Sequence, residues 1–147
     1  MKPTMRLVKS VGIGVIGLAL GLSSGAIAAD VVAVVSSKSS VTALSANQVA
    51  DIFLGKANQF PNGSQAVPID QAEGSATRDA FYAKVTGKSA AQMKAHWSKI
   101  IFTGRGQPPK EVANSIEAKK LVADDPKAIG YIEQGLVDGS VRVLLSP

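Results

Sequence analysis

Residues 72–82 read Ala72-Glu-Gly-Ser-Ala-Thr-Arg-Asp-Ala-Phe-Tyr82, a turn of small residues passing into a helix. Gly74 suits the turn. Ser75 and Thr77 carry hydroxyls where the first helical N–H groups lack internal partners, and Phe81 with Val85 marks one apolar face. The macrodipole adds positive potential at such a start. Two uses follow. Ser75 or Thr77 caps the free amides from within, or the amides and hydroxyls of Gly74, Ser75, Ala76 and Thr77 are left for an external oxyanion. Arg78 adds a cation at the same turn, and Glu73 could accept from a protonated anion or pair with Arg78.

Working outward, short apolar runs alternate with helical patterns. Val31–Val35 is a β-branched run that suits a buried strand. Ser45 and Gln48 have capping-box spacing, Leu44 can staple onto Val49, and Val49, Ile52 and Phe53 share a face up to Gly55. Phe60-Pro-Asn-Gly63 is a turn. Ala66–Asp70 reads as a strand whose Pro68 suggests an edge or an end. The helix from the opening stretch runs to about Val85, with Gly87 as its stop. Ser89 and Gln92 repeat the capping box ahead of a stripe of Met93, Trp97, Ile100 and Ile101. Pro109 fits the first turn of a further helix, carrying Val112 and Ile116 and ending before Asp125-Pro126. Ala128–Ile132 and Val141–Leu145 read as strands. The order β-α-β-α-α-α-β-β predicts one α/β domain, a mixed sheet of about four to five strands flanked by helices.

The first 28 residues set the expected compartment. Lys2, Arg6 and Lys9 precede an uncharged apolar run that ends at Ala26-Ile27-Ala28, the pattern of a cleaved secretory signal. That run is shorter than the roughly 20 residues of a bilayer span. The expectation is a signal peptide at 1–28, a single domain at 29–147, and a periplasmic or secreted protein. Three of the 16 Lys and Arg residues lie in the leader, so 13 remain against 11 acidic residues and the net charge falls from +5 to +2. With no basic run or aromatic-interleaved stripe, nucleic acid is not an expected partner. There is no cysteine, so disulfides and thiolate metal sites are excluded.

Enzyme constellations are not assembled. His96 is the single histidine, beside Trp97, and is read as a surface or packing residue. No GxSxG, Walker A or GxGxxG pattern occurs, and Asp124-Asp125 before Pro126 is read as a solvated helix end. No catalytic residue, metal ligand or cofactor is therefore expected. A second anion candidate is Gly104-Arg105-Gly106, where a planar guanidinium sits in a flexible loop. The alternative there is a solvent-facing arginine.

Several pieces, taken in order, resemble a known family. Leu44-Ser45, Asp51-Ile-Phe-Leu-Gly-Lys56, Val67-Pro-Ile69, Glu73-Gly-Ser-Ala-Thr77, Phe81 and Pro126-Lys-Ala-Ile-Gly-Tyr131 are similar to segments of the phosphate-binding proteins of bacterial ABC uptake systems. Nearly all of residues 30–145 resembles the short, single-lobe PstS-like group, in which Ile101–Pro109 is typical. The resemblance implies a periplasmic-binding-protein-like lobe and a ligand-binding turn at Ser75, Ala76 and Thr77, with Glu73 at the family's acceptor aspartate. The family arginine falls at Gln71, and Ala76 replaces a glycine. Arg78 or Arg105 is the candidate substitute for the missing charge. The implied partners are inorganic phosphate or a similar oxyanion and an ABC permease or envelope sensor, with a homodimer as one way to supply a second wall. The other reading is a non-enzymatic interaction module that keeps the lobe and has lost tight phosphate binding.

Overall fold

A computed structural model of the chain describes residues 30–145. The leader expected at residues 1–28 lies outside the described residues. The elements are β1 (Val31–Ser36), α1 (Ala46–Phe53), β2 (Val67–Gln71), α2 (Ala76–Thr86), α3 (Ala90–Phe102), β3 (Lys110–Val112), α4 (Ser115–Asp124), β4 (Ala128–Glu133), a short 3-10 turn at Gln134–Leu136, and β5 (Val141–Leu145). The five strands form one mixed sheet in the order β3-β2-β4-β1-β5. β2 runs parallel to β3 and β4, and β1 is antiparallel to β4 and β5. The architecture is the α/β lobe expected from the sequence.

β1 explains why its sequence is apolar at every position. Val31, Ala33 and Val35 pack on one sheet face with α1, α2 and α3, while Val32 and Val34 pack on the other with Val122 of α4. A strand covered on both faces has no solvent side to mark with polar residues. The first core is centred on aromatics: Phe81 stacks on Tyr131 with ring centroids 4.0 Å apart, and Phe53 meets both edge-on. Such pairs add about 0.5–1.5 kcal/mol each beyond their burial.

The helix starts follow local chemistry. Ser45 with Gln48 and Ser89 with Gln92 form complete capping boxes, and Gly87 ends α2 in the left-handed region at φ 70°. Two expectations are corrected. Lys110–Val112 is not the first turn of a helix: it is an edge strand paired with Ile69–Gln71, and α4 begins only at Ser115 behind the N-cap Asn114. The free parallel edge of β2 recruits this segment, which has only one apolar residue of its own. Ile101 also leaves the apolar stripe of α3. It is 55% exposed and Phe102 91% exposed, while Met93 and Trp97 are buried.

Because β2, β3 and β4 are parallel, their carboxyl ends, at Gln71, Val112 and Glu133, lie at one end of the sheet. α2 and α4 start just beyond β2 and β3. In open α/β sheets ligands meet the protein at such an end. No helix among the described residues is long and apolar enough to cross a membrane.

Candidate functional site

At that end of the sheet the chain builds a buried polar network. Asp70, at 4% exposure in β2, accepts hydrogen bonds from the hydroxyls of Tyr82 (2.7 Å) and Tyr131. The Arg78 Nε lies 3.4 Å from both Asp70 oxygens, and its guanidinium sits over the Tyr82 ring at 5.2 Å. Burial alone would lower the Arg78 pKa, but the Asp70 charge and the two phenols raise it above its ordinary value. Burial and the Asp70 charge push both tyrosines up, so they stay neutral donors. Arg78 is thus held as an internal counter-ion.

Gln71 is the next residue along β2 and is buried as well. Its Nε2 donates to the Ser115 hydroxyl (3.0 Å) and to the Tyr131 carbonyl (2.9 Å), tying β2 to the start of α4 and to β4. Glu133, at the end of β4, accepts from Thr77 Oγ1 at 2.7 Å. Its other oxygen is buried without a hydrogen bond of good geometry among the described residues, with the Ser115 hydroxyl nearby. Burial pushes Glu133 up, but the neighbouring hydroxyls of Ser115 and Thr77 and its own amide outweigh this and hold it below its ordinary range. A resident carboxylate therefore lies between the starts of α2 and α4, where both dipoles favour negative charge.

Above this floor lies the turn at residues 73–77. Ser75 is the N-cap of α2, and its Oγ accepts from the Arg78 amide at 3.3 Å. Gly74 takes φ 89°, a backbone that strains any other residue. The amides of Ala76 and Thr77 have no acceptor among the described residues, and Ala76 is exposed. Glu73 is exposed and lies 3.8 Å from Lys94, so it pairs with α3 rather than with Arg78. Arg105 is elsewhere: it lines a cleft against α3 and the start of β2, whose walls include none of residues 73–78. The structure thus gathers Glu73, Gly74, Ser75, Ala76 and Thr77 at one turn, buries Arg78 beneath it, and sets Arg105 apart.

Sequence reasoning passed over Asp70, Tyr82, Tyr131, Ser115 and Glu133. A carboxylate in the apolar strand Val67–Asp70 was the one available signal, since a buried acid requires partners. Among the described residues no three His, Asp or Glu side chains group as a metal site.

Comparison with known structures places the fold. The chain has the fold of a periplasmic-binding-protein-like lobe, and the matching structures are PstS-type phosphate ABC transporter substrate-binding proteins. One, described as a phosphate ABC transporter substrate-binding protein with bound phosphate from Clostridium perfringens, is 27% identical over 79% of this chain and 44% of its own, with a TM-score of 0.62. An ABC-type phosphate transport receptor from Vibrio cholerae matches at 21% identity over 79% and 45%, also with a TM-score of 0.62. PstS from Borrelia burgdorferi matches at 15% identity over 79% and 46%, with a TM-score of 0.57. The chain spans less than half the length of each of these. No family model matches the sequence, and no curated protein sequence matches it.

Proposed function

We propose that this chain is an exported, non-enzymatic solute-binding module related to phosphate uptake. It meets phosphate or a similar oxyanion at the start of α2 and presents it to a membrane partner, an ABC permease or an envelope sensor. The observation that carries this reading is the pair of amides at Ala76 and Thr77. They project from the first turn of α2 without an internal acceptor among the described residues, over a floor fixed by the Asp70 and Gln71 networks. Support comes from the 27% identity to a phosphate-bound structure. The apolar leader pattern at residues 1–28 supports export to the periplasm or beyond.

The affinity of the lobe alone is low. Its nearby cations are already paired, Arg78 with Asp70 and Lys94 with Glu73, Glu133 supplies negative charge beneath the turn, and water competes for exposed donors. A second lobe or a second copy closing over the turn would strengthen binding by excluding that water.

Proline suits the first position of a helix, and extended Ser75 (φ −66°, ψ 130°) suits the residue before it. Ala76→Pro therefore deletes one donor without breaking α2. In an amide NMR titration with inorganic phosphate, the Ala76 and Thr77 resonances move with a millimolar Kd. In Ala76→Pro the response is lost and the melting temperature is kept. Unmoved resonances in the parent chain refute oxyanion capture. They leave the second reading, an interaction module, favoured by the spent state of Ser75, Thr77 and Arg78, whose side chains already serve internal partners.

A further inference from the structure

A cleft of about 540 Å³ opens between the end of α1, the C-terminal half of α3, the loop after it and the start of β2. Its volume lies in the range of small-molecule sites. Its walls contain two cations, Arg105 and Lys110, and no aspartate or glutamate. Neither cation has an ion-pair partner among the described residues. Arg105 and Ile100 also line an adjoining cavity of about 360 Å³, which adds Lys99 to the same rim and again contributes no acid. The remaining walls are mixed: Trp97, Ile100, Pro108 and Pro109 supply apolar surface, and Asn58, Gln65 and Gln107 supply neutral polar groups.

Trp97 supplies the second, independent sign. It is 7% exposed, and its indole Nε1 is buried with no acceptor among the described residues. The ring is held in place: its Cη2 edge lies so close to Gly55 that a Cβ there would sit 2.9 Å away. A buried donor without a partner is costly to keep, and such groups are uncommon in folded proteins. The ring borders the cleft, so a guest seated against that wall changes the surroundings of the indole.

We propose that this cleft binds an organic carboxylate with a flat apolar body. Arg105 and Lys110 take the carboxylate, a fork of two parallel hydrogen bonds coming from the guanidinium. Ile100, Pro109 and the edge of Trp97 take the flat part. The site is separate from the α2 turn and does not rest on the oxyanion reading.

Trp97 is the only tryptophan, so the amide spectrum carries one indole cross-peak. The chain is titrated with benzoate and phenylacetate, with benzamide and inorganic phosphate as controls. The expected result is a saturable movement of the indole cross-peak with either carboxylate, at least tenfold weaker binding in Arg105→Ala, and no comparable movement with benzamide or phosphate. Ala76→Pro leaves this response intact, which separates it from capture at α2. The proposal is overturned if both carboxylates leave the indole unmoved. It is equally overturned if Arg105→Ala keeps the affinity, or if phosphate moves the indole as strongly as the carboxylates, which would mark a bare anion patch.

Discussion

Arg78 and Arg105 carry the same guanidinium into opposite surroundings. Arg78 leaves the first turn of α2, is 8% exposed, and lies against Asp70 and the Tyr82 ring. Arg105 leaves the loop after α3 into an open cleft with no acid in its walls. Both follow glycine-containing turns in the sequence, and both are candidates there for an anion. The difference is what each chain segment faces. α2 packs on the sheet, so its first-turn cation is drawn under the helix to the one carboxylate of β2. The loop at 103–109 bonds back to α3 through the amides of Thr103, Gly104 and Arg105, and the Arg105 side chain, with no ion-pair partner among the described residues, keeps its charge for solvent or a ligand. Charge near a helix start thus becomes structure where an opposite charge is buried within reach, and remains available where none is.

The largest expected effect breaks the closed region and spares the open one. Asp70→Ala leaves Arg78 buried without its counter-ion and both tyrosine hydroxyls without their acceptor. It costs about 3–5 kcal/mol in urea unfolding. Arg105→Ala changes stability by no more than about 0.5 kcal/mol. Equal losses in the two variants would refute the division between a structural and a free arginine.

Next in size is the alkaline limb. Tyr82 and Tyr131 have pKa values raised above the ordinary value near 10. Above that pH the unfolded chain releases protons that the folded chain keeps. The stabilisation is therefore complete below about pH 10 and declines as pH rises, by up to about 1.4 kcal/mol per pH unit for each tyrosine. Tyr82→Phe makes the decline shallower, as read from urea midpoints between pH 9 and 11. An unchanged slope would mean that Tyr82 does not hold its proton in the fold.

Gly55→Ala tests the open region from its wall. Gly55 has φ 75°, and the added Cβ would meet Trp97 at 2.9 Å, so the change costs about 1–2 kcal/mol. It displaces the indole cross-peak while leaving the Asp70 network untouched. An unmoved indole would show that Trp97 is not wedged there.

How much of this was legible follows from the range of the forces involved. The capping boxes at Ser45 and Ser89 lie within four residues, so their chemistry is visible in the sequence itself. The five-residue run of β1 announces a strand, and being covered on both faces leaves no polar alternation to confuse it. β3 was hidden because Lys110-Glu111-Val112 becomes a strand only by pairing with β2. Arg78 was misjudged for a similar reason. Its partner Asp70 is eight residues away, but Tyr131, which completes the acceptor's shell, comes from β4, across the intervening α3, β3 and α4. Glu133 was silent because its meaning comes from Thr77, fifty-six residues earlier. The turn at residues 73–77 was legible as a helix start, but not the acid waiting beneath it.

That acid gives the finest test of the comparison. Glu133 lies between the starts of α2 and α4 and holds its charge below the ordinary carboxylate range. Its stabilisation is present above that range and is lost as pH falls through the depressed value. If the turn at Ser75–Thr77 takes an oxyanion, Glu133, hydrogen-bonded to Thr77 of that turn, opposes the guest's charge. Removing a unit charge there is worth roughly 1 kcal/mol in water-like surroundings, or about fivefold in affinity. Glu133→Gln keeps a carbonyl oxygen for the Thr77 hydroxyl, so that bond survives while the charge goes. The expected result is phosphate binding about fivefold tighter by amide NMR titration, with binding in the Arg105 cleft unchanged. Weaker phosphate binding in Glu133→Gln would reverse the assignment and make Glu133 an acceptor for a protonated phosphate. Unchanged binding would show that the internal anion is sealed from the surface, and that the closed region is closed to ligands in charge as well as in shape.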